Sequence, residues 1–164
     1  MNCVTSKQVK FTAAFSMTCI LLMISATVIS ESGIRGEAGF VLGDVFNPDS
    51  PGVERLSRQD KSVYRVTPGD TANSADYLLL RITADKRIHR ISIFSRKMSA
   101  VQCSDERFKR RKAIEEKYPE LAYYAMTESE MFYNDSRTLT IECVRSDGEI
   151  RLKTEYADDV LAGQ

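Results

Sequence analysis

The stretch Thr138–Asp158, TLTIECVRSDGEIRLKTEYAD, constrains the fold of this chain more than any other. Two runs rich in Thr, Ile, Leu, Val and Tyr flank Asp147-Gly148, a dipeptide that readily supplies the two positive φ angles of a two-residue β-turn. Centring a hairpin there fixes its register. Leu139 faces Tyr156, Ile141 faces Thr154 and Cys143 faces Leu152 on one side, while Thr140–Glu155, Glu142–Lys153 and Val144–Arg151 pair on the other. Strand side chains alternate with a period of two, so a slip of one residue would turn the whole apolar set outward. The register predicts that Leu139, Ile141, Cys143, Leu152 and Tyr156 share the buried face.

Cys143 matters because of what the N-terminus implies. Residues 1–10 carry Lys7 and Lys10 and no acid, and the run 11–29 has no charge. A basic head, an apolar stretch and Val28-Ile29-Ser30 before Glu31 make a secretory signal over residues 1–30, with Ile24-Ser25-Ala26 as a second cut. The competing reading keeps residues 11–29 as a single-span anchor, since the run is just long enough to cross a bilayer. Thr12, Ser16, Thr18, Ser25 and Thr27 weaken that span. A lipidated Cys19 fits poorly, because Ser16-Met17-Thr18 lacks the expected Leu and small residues. Cleavage leaves Cys103 and Cys143, which in an oxidising compartment predict one disulfide rather than two buried thiols. Closing such a loop stabilises a fold by about 4 kcal/mol in the chain-entropy model.

The remainder reads as an α+β domain over 53–164 preceded by a Gly/Pro-rich segment, 31–52, the two together making one domain over 31–164. That segment holds Gly33, Gly36, Gly39, Gly43, Gly52, Pro48 and Pro51 around a short apolar piece, Phe40–Phe46. It reads as loop. It has neither Gly-x-Gly-x-x-Gly after a strand nor a glycine loop followed by Lys-Ser/Thr, so a phosphate cradle is not indicated. Ser62–Thr67 alternates and stops at Pro68, which predicts an edge strand. Tyr77–Thr83 and Ile88–Phe94 predict a second hairpin. With Thr83 opposite Ile88, Leu78, Leu80 and Ile82 meet Ile93, Ile91 and His89 on one face, at the cost of Arg81 opposite Arg90. Cys103–Leu121 predicts a helix with Ser104 as N-cap, Asp105 and Glu106 at the positive dipole end, and Pro119 ending it near Tyr118. Phe108, Ala113, Ile114 and Tyr118 form its apolar stripe. Tyr123–Met126 predicts a strand followed by an acidic loop. The expected architecture is an antiparallel sheet of two hairpins plus an edge strand, with one main helix on one face and one disulfide.

Composition excludes some partners. The chain has 23 basic and 23 acidic residues, and Lys7 and Lys10 are the only charges before Glu31. No global field draws it to nucleic acid, or to a membrane unless residues 11–29 are retained. The run Lys109-Arg110-Arg111-Lys112 is balanced by acids at i,i+4 (Glu106–Arg110, Arg111–Glu115, Lys112–Glu116), the pattern of a solvated helix face.

No catalytic, cofactor or metal residues are indicated. His89 is the single histidine. A Ser-His-acid triad needs a serine on an exposed sharp turn, and there is no Gly-x-Ser-x-Gly. One histidine and an oxidised cysteine pair do not make a zinc set. Asp44, Asp49, Glu128, Glu130, Asp135, Asp158 and Asp159 could supply an acid and a base, but nothing in their spacing brings two together. Tyr123, Tyr124, Phe132 and Tyr133 are candidates for an interaction surface, or alternatively for core.

Gly39-Phe40-x-Leu42-Gly43, Tyr64-x-Val66-x-Pro68, the run Ile91–Ile93 and Leu152-x-x-x-Tyr156-x-Asp158 together resemble small exported proteins of Gram-negative bacteria, over residues 36–161. The resemblance implies a periplasmic or secreted single domain and no particular activity. The expectation is a non-enzymatic domain that binds a protein or envelope component. The alternatives are a small carboxylate- or histidine-dependent hydrolase, and the same domain held by a membrane anchor.

Overall fold

In the computed structural model, described for residues 34–57, 60–68 and 75–163, the Asp147-Gly148 turn forms as expected. Asp147 and Gly148 take φ of 52° and 78°. The strands they join, β7 (Arg137–Ser146) and β8 (Glu149–Asp158), pair in the predicted register throughout. The predicted apolar set is inward, with Leu139, Ile141 and Tyr156 buried and Cys143 and Leu152 half-buried. On the opposite side Lys153 donates to Glu142 at 2.9 Å. The expected signal segment, residues 1–30, lies outside the described residues, as does most of the expected loop after Pro68.

Eight described strands form one antiparallel sheet: β1 (Val53–Arg55), β2 (Val63–Val66), β3 (Ala75–Ile82), β4 (Ile88–Ser95), β8, β7, β6 (Ser129–Asn134) and β5 (Ala122–Ala125), in that spatial order. One row of cross-strand neighbours explains why they share a core. Tyr64, Leu80, Ile91, Tyr156, Leu139 and Phe132 succeed one another across β2, β3, β4, β8, β7 and β6. All six are buried. Each such side chain withdrawn from water contributes about 1.5–3 kcal/mol. This face is covered by α1 (Ala100–Lys117) through Ile114, and by the N-terminal segment through Ile34, Leu42 and Phe46. Gly36 lets that segment approach: a Cβ there would collide with the Phe40 carbonyl oxygen and lie 2.8 Å from Ile91 Cδ1. Arg137 fastens the segment, donating from Nε to Asp158 (2.9 Å) and from Nη1 to the Ile34 carbonyl (3.1 Å). Asp158 also caps α2 (Asp159–Ala162).

Several expectations about the elements and their pairing are corrected. The helix starts at Ala100, not Cys103, and its N-cap is Ser99. Ser99 Oγ accepts from the Gln102 N–H while Gln102 Oε1 accepts from the Ser99 N–H, so a capping box satisfies two orphan donors that Ser104 does not. Ser62–Thr67 is not an edge, because β1 pairs with β2 on its outer side. The expected acidic loop after Met126 is largely β6, held by β7 on one side and β5 on the other. The β3–β4 hairpin keeps Leu78–Ile93, Leu80–Ile91 and Arg81–Arg90, then breaks register so that Ile82 faces Ile88 rather than His89. The irregularity buries Ile88 in place of an imidazole, a better use of a core position. Arg81 reaches solvent, and Arg90 turns to Glu155 at 3.4 Å, which makes the like-charged pair tolerable.

Cys103 and Cys143 are joined in a disulfide, Cα–Cα 6.0 Å, tying the first turn of α1 to β7. Cys103 is fully buried, and with Ile114 it is one of two buried residues on a helix otherwise wet. Phe108, expected in the apolar stripe, points out instead.

Candidate functional site

The two ends of the sheet are built differently. An edge strand presents unpaired N–H and C=O groups, and proteins ordinarily protect it with charge, proline, a bulge or shortness. β1 follows that rule, with three residues, two of them Glu54 and Arg55. β5, at the other end, is Ala-Tyr-Tyr-Ala, carries no charge or proline, and pairs with β6 without a bulge. All four of its residues are exposed.

Aromatic and arginine side chains flank that edge on both faces. On one face Tyr124 (61% exposed) sits opposite Met131, next to Tyr133 (47%) opposite Ala122. On the other, Tyr123 (38%) leans on Phe132 with ring centroids 5.1 Å apart. The Arg111 guanidinium lies 5.8 Å from the Tyr123 ring and 4.8 Å from the exposed Phe108 ring, and Lys112 Nζ stands 4.8 Å from that same ring. The i,i+4 pairing expected on this face is realised at Arg111–Glu115 (3.7 Å). Glu106 pairs with Lys109 rather than Arg110, and Lys112 sits on Phe108. Tyr123 donates its hydroxyl proton to Glu130 and accepts from Arg111 Nη1 at 3.4 Å. The bond to Glu130, then burial, raises the Tyr123 pKa, against the pull of Arg111.

Of the four aromatic residues named from sequence, Tyr123, Tyr124 and Tyr133 reach solvent and Phe132 does not, being 1% exposed within the core row. Sequence reading missed Phe108 and Arg111, which belong to the same patch. The signal was present as Phe108 three residues before Arg111, one helical turn on the same face.

The residues considered for chemistry lie elsewhere. His89 is half-buried on β4, its Nδ1 without a hydrogen-bond partner. Burial first, then Arg90 and Arg81, hold its pKa below the ordinary imidazole value, so the ring is neutral at neutral pH. Asp158 is committed to Arg137 and the α2 cap, and Glu130 to Tyr123. Asp44, Asp49, Glu128, Asp135 and Asp159 are exposed. Among the described residues no group of three His, Cys, Asp or Glu is placed to hold a metal ion, and no helix is long and apolar enough to cross a membrane.

A second polar cluster lies between α1 and the sheet. Glu37 Oε2 accepts from Tyr156 Oη at 2.6 Å and from Arg110 Nη2. Burial pushes the Tyr156 phenol up to about 12, so it remains a donor to Glu37. In the folded chain Tyr156 keeps its proton above pH 10, where the unfolded chain loses it. Stability is therefore fully present below about pH 10 and falls by about 3 kcal/mol as pH rises toward 12. Alkaline unfolding followed by circular dichroism checks this: Tyr156→Phe is expected to flatten that part of the profile.

The chain matches no protein-family model, no curated protein and no solved structure.

Proposed function

We propose that this chain is an exported, non-enzymatic binding domain whose β5 edge takes up an extended segment of a partner protein as an added strand. The observation that carries this reading is the contrast between the sheet's ends, β1 charged and short, β5 uncharged and open. Strand addition supplies affinity through main-chain hydrogen bonds and specificity through side chains on alternate faces. Here one face offers Tyr124 and Tyr133, and the other Tyr123, Arg111 and Phe108, the residue types that dominate interface energetics. Exposed aromatic side chains beside an unguarded edge are a hazard to a chain that does not use them. Export rests on the N-terminal pattern and is compatible with the disulfide.

A photo-crosslinking amino acid placed at Tyr124 of the full chain in its host tests the site, with the same group at Glu54 on the opposite edge as control. The expected result is a discrete adduct from position 124 and none from 54. Ala125→Lys, which adds a charged guard to the same strand, is expected to abolish that adduct. Adducts of equal yield from both edges, or none from either, would refute the reading.

A further inference from the structure

We propose that the cleft between α1 and the sheet is a binding site for a small aliphatic α-amino acid in its zwitterionic form. The cleft measures about 380 Å³, at the small end of the roughly 300–1,000 Å³ typical of small-molecule sites. Its polar groups are few and fixed. Glu37 is oriented by the buried Tyr156 hydroxyl and by Arg110, both bound at Oε2. Among the described residues Oε1 of the same carboxylate and Nη1 of the same guanidinium make no hydrogen bond. Thr154 also lines the cleft and is 4% exposed, and its hydroxyl has no hydrogen-bond partner among the described residues. It stands in a cross-strand row between Ile93 and Ile141, where a methyl would serve packing equally well. A hydroxyl there leaves a donor and an acceptor open to whatever occupies the cleft.

The charge pattern selects the ligand class. The charged lining is Glu37, Glu106, Lys109 and Arg110, two of each sign. A simple anion or cation would meet as much repulsion as attraction. An α-amino acid carries both charges one carbon apart, matching a carboxylate and a guanidinium already held side by side. Its ammonium donates to Glu37 Oε1 and the Thr154 hydroxyl, and its carboxylate accepts from Arg110, assisted by Lys109. Apart from Ser95, the rest of the lining, Ile93, Leu152, Ala38 and Ala113 among it, is aliphatic and includes no aromatic ring. That suits a branched aliphatic side chain and gives no platform for a sugar or a base.

Isothermal titration calorimetry of the full chain with L-leucine tests the site. The expected result is saturable binding with Kd below about 1 mM. 4-Methylpentanoate, which lacks the ammonium, and leucinamide, which lacks the carboxylate, are each expected to bind at least about tenfold more weakly, because each forfeits the contacts of one charged end. Glu37→Gln is expected to weaken leucine binding, but it also disturbs a buried hydrogen-bond cluster. Ala113→Leu is the cleaner variant: an exposed helical position where Leu is well tolerated. It fills the cleft and is expected to reduce leucine affinity at least about tenfold while the thermal midpoint stays within a few degrees. Four results would each overturn the proposal: no saturable leucine binding, equal binding of either analogue, saturable glucose binding, or full affinity in Ala113→Leu.

Discussion

Replacing both Cys103 and Cys143 by alanine, or reducing the bond between them, is expected to lower the unfolding free energy by about 4 kcal/mol. The two residues are 40 positions apart in sequence, so the bond removes a large share of the unfolded chain's freedom. The native state adds a second reason. α1 packs against β7 and β8, yet it buries only Cys103 and Ile114. Cys103 anchors its first half, where the other stabilising element is the Ser99–Gln102 capping box, a contribution of about 1 kcal/mol. Domains of this size are stable by about 5–15 kcal/mol in total, so the reduced chain falls close to its threshold. Urea titration with and without reductant measures the difference. A loss smaller than about 1 kcal/mol would mean that the helix is held by packing rather than by the covalent tie.

Phe132→Ala is expected to cost about 3–5 kcal/mol, the range for emptying an aromatic core site. Phe132 is enclosed in the row between Leu139 and Tyr123, and truncating it leaves a cavity beneath β5 and β6. Tyr124→Ala, one position beyond Phe132's partner Tyr123 and so on the opposite face of the sheet, is expected to change stability by less than about 0.5 kcal/mol. The pair separates the roles of two aromatic residues that sequence alone placed together. Thermal or urea unfolding of each variant reads the first effect, and the crosslinking yield reads the second. A Tyr124→Ala chain as unstable as Phe132→Ala would make Tyr124 part of the core and remove the binding edge.

What the sequence disclosed depends on how local each constraint is. The β7–β8 register was legible to the last pair because a two-residue turn and a strict alternation act on neighbours in the chain. Most of the β3–β4 register followed from the same alternation. Its irregularity at Arg81–Ile82 did not, because it reflects competition between Ile88 and His89 for one core position. Ser104-Asp105-Glu106 looks like a helix N-terminus, but the Ser99–Gln102 box before it sets the start at Ala100. β1 is too short to show a period, and β6 is polar enough to resemble a loop until β7 is beside it. Which strand becomes an edge is a property of the whole sheet: Ser62–Thr67 has the shortness and terminal proline of an edge, yet the edges are β1 and β5. The exposed tyrosines were legible as residue types, but their faces were not. The Glu37–Tyr156 contact spans 119 residues and leaves no local trace.

The most direct measurement of the central claim is backbone hydrogen exchange of the full chain, alone and in the complex recovered by crosslinking at position 124. An open edge exchanges quickly when alone and slowly once a strand is added. The expected result is protection on complex formation at Ala122–Ala125 and the Met126 turn, with β1 unchanged. Protection at Val53–Arg55 instead, or unaltered exchange at Ala122–Ala125, would contradict strand addition at β5.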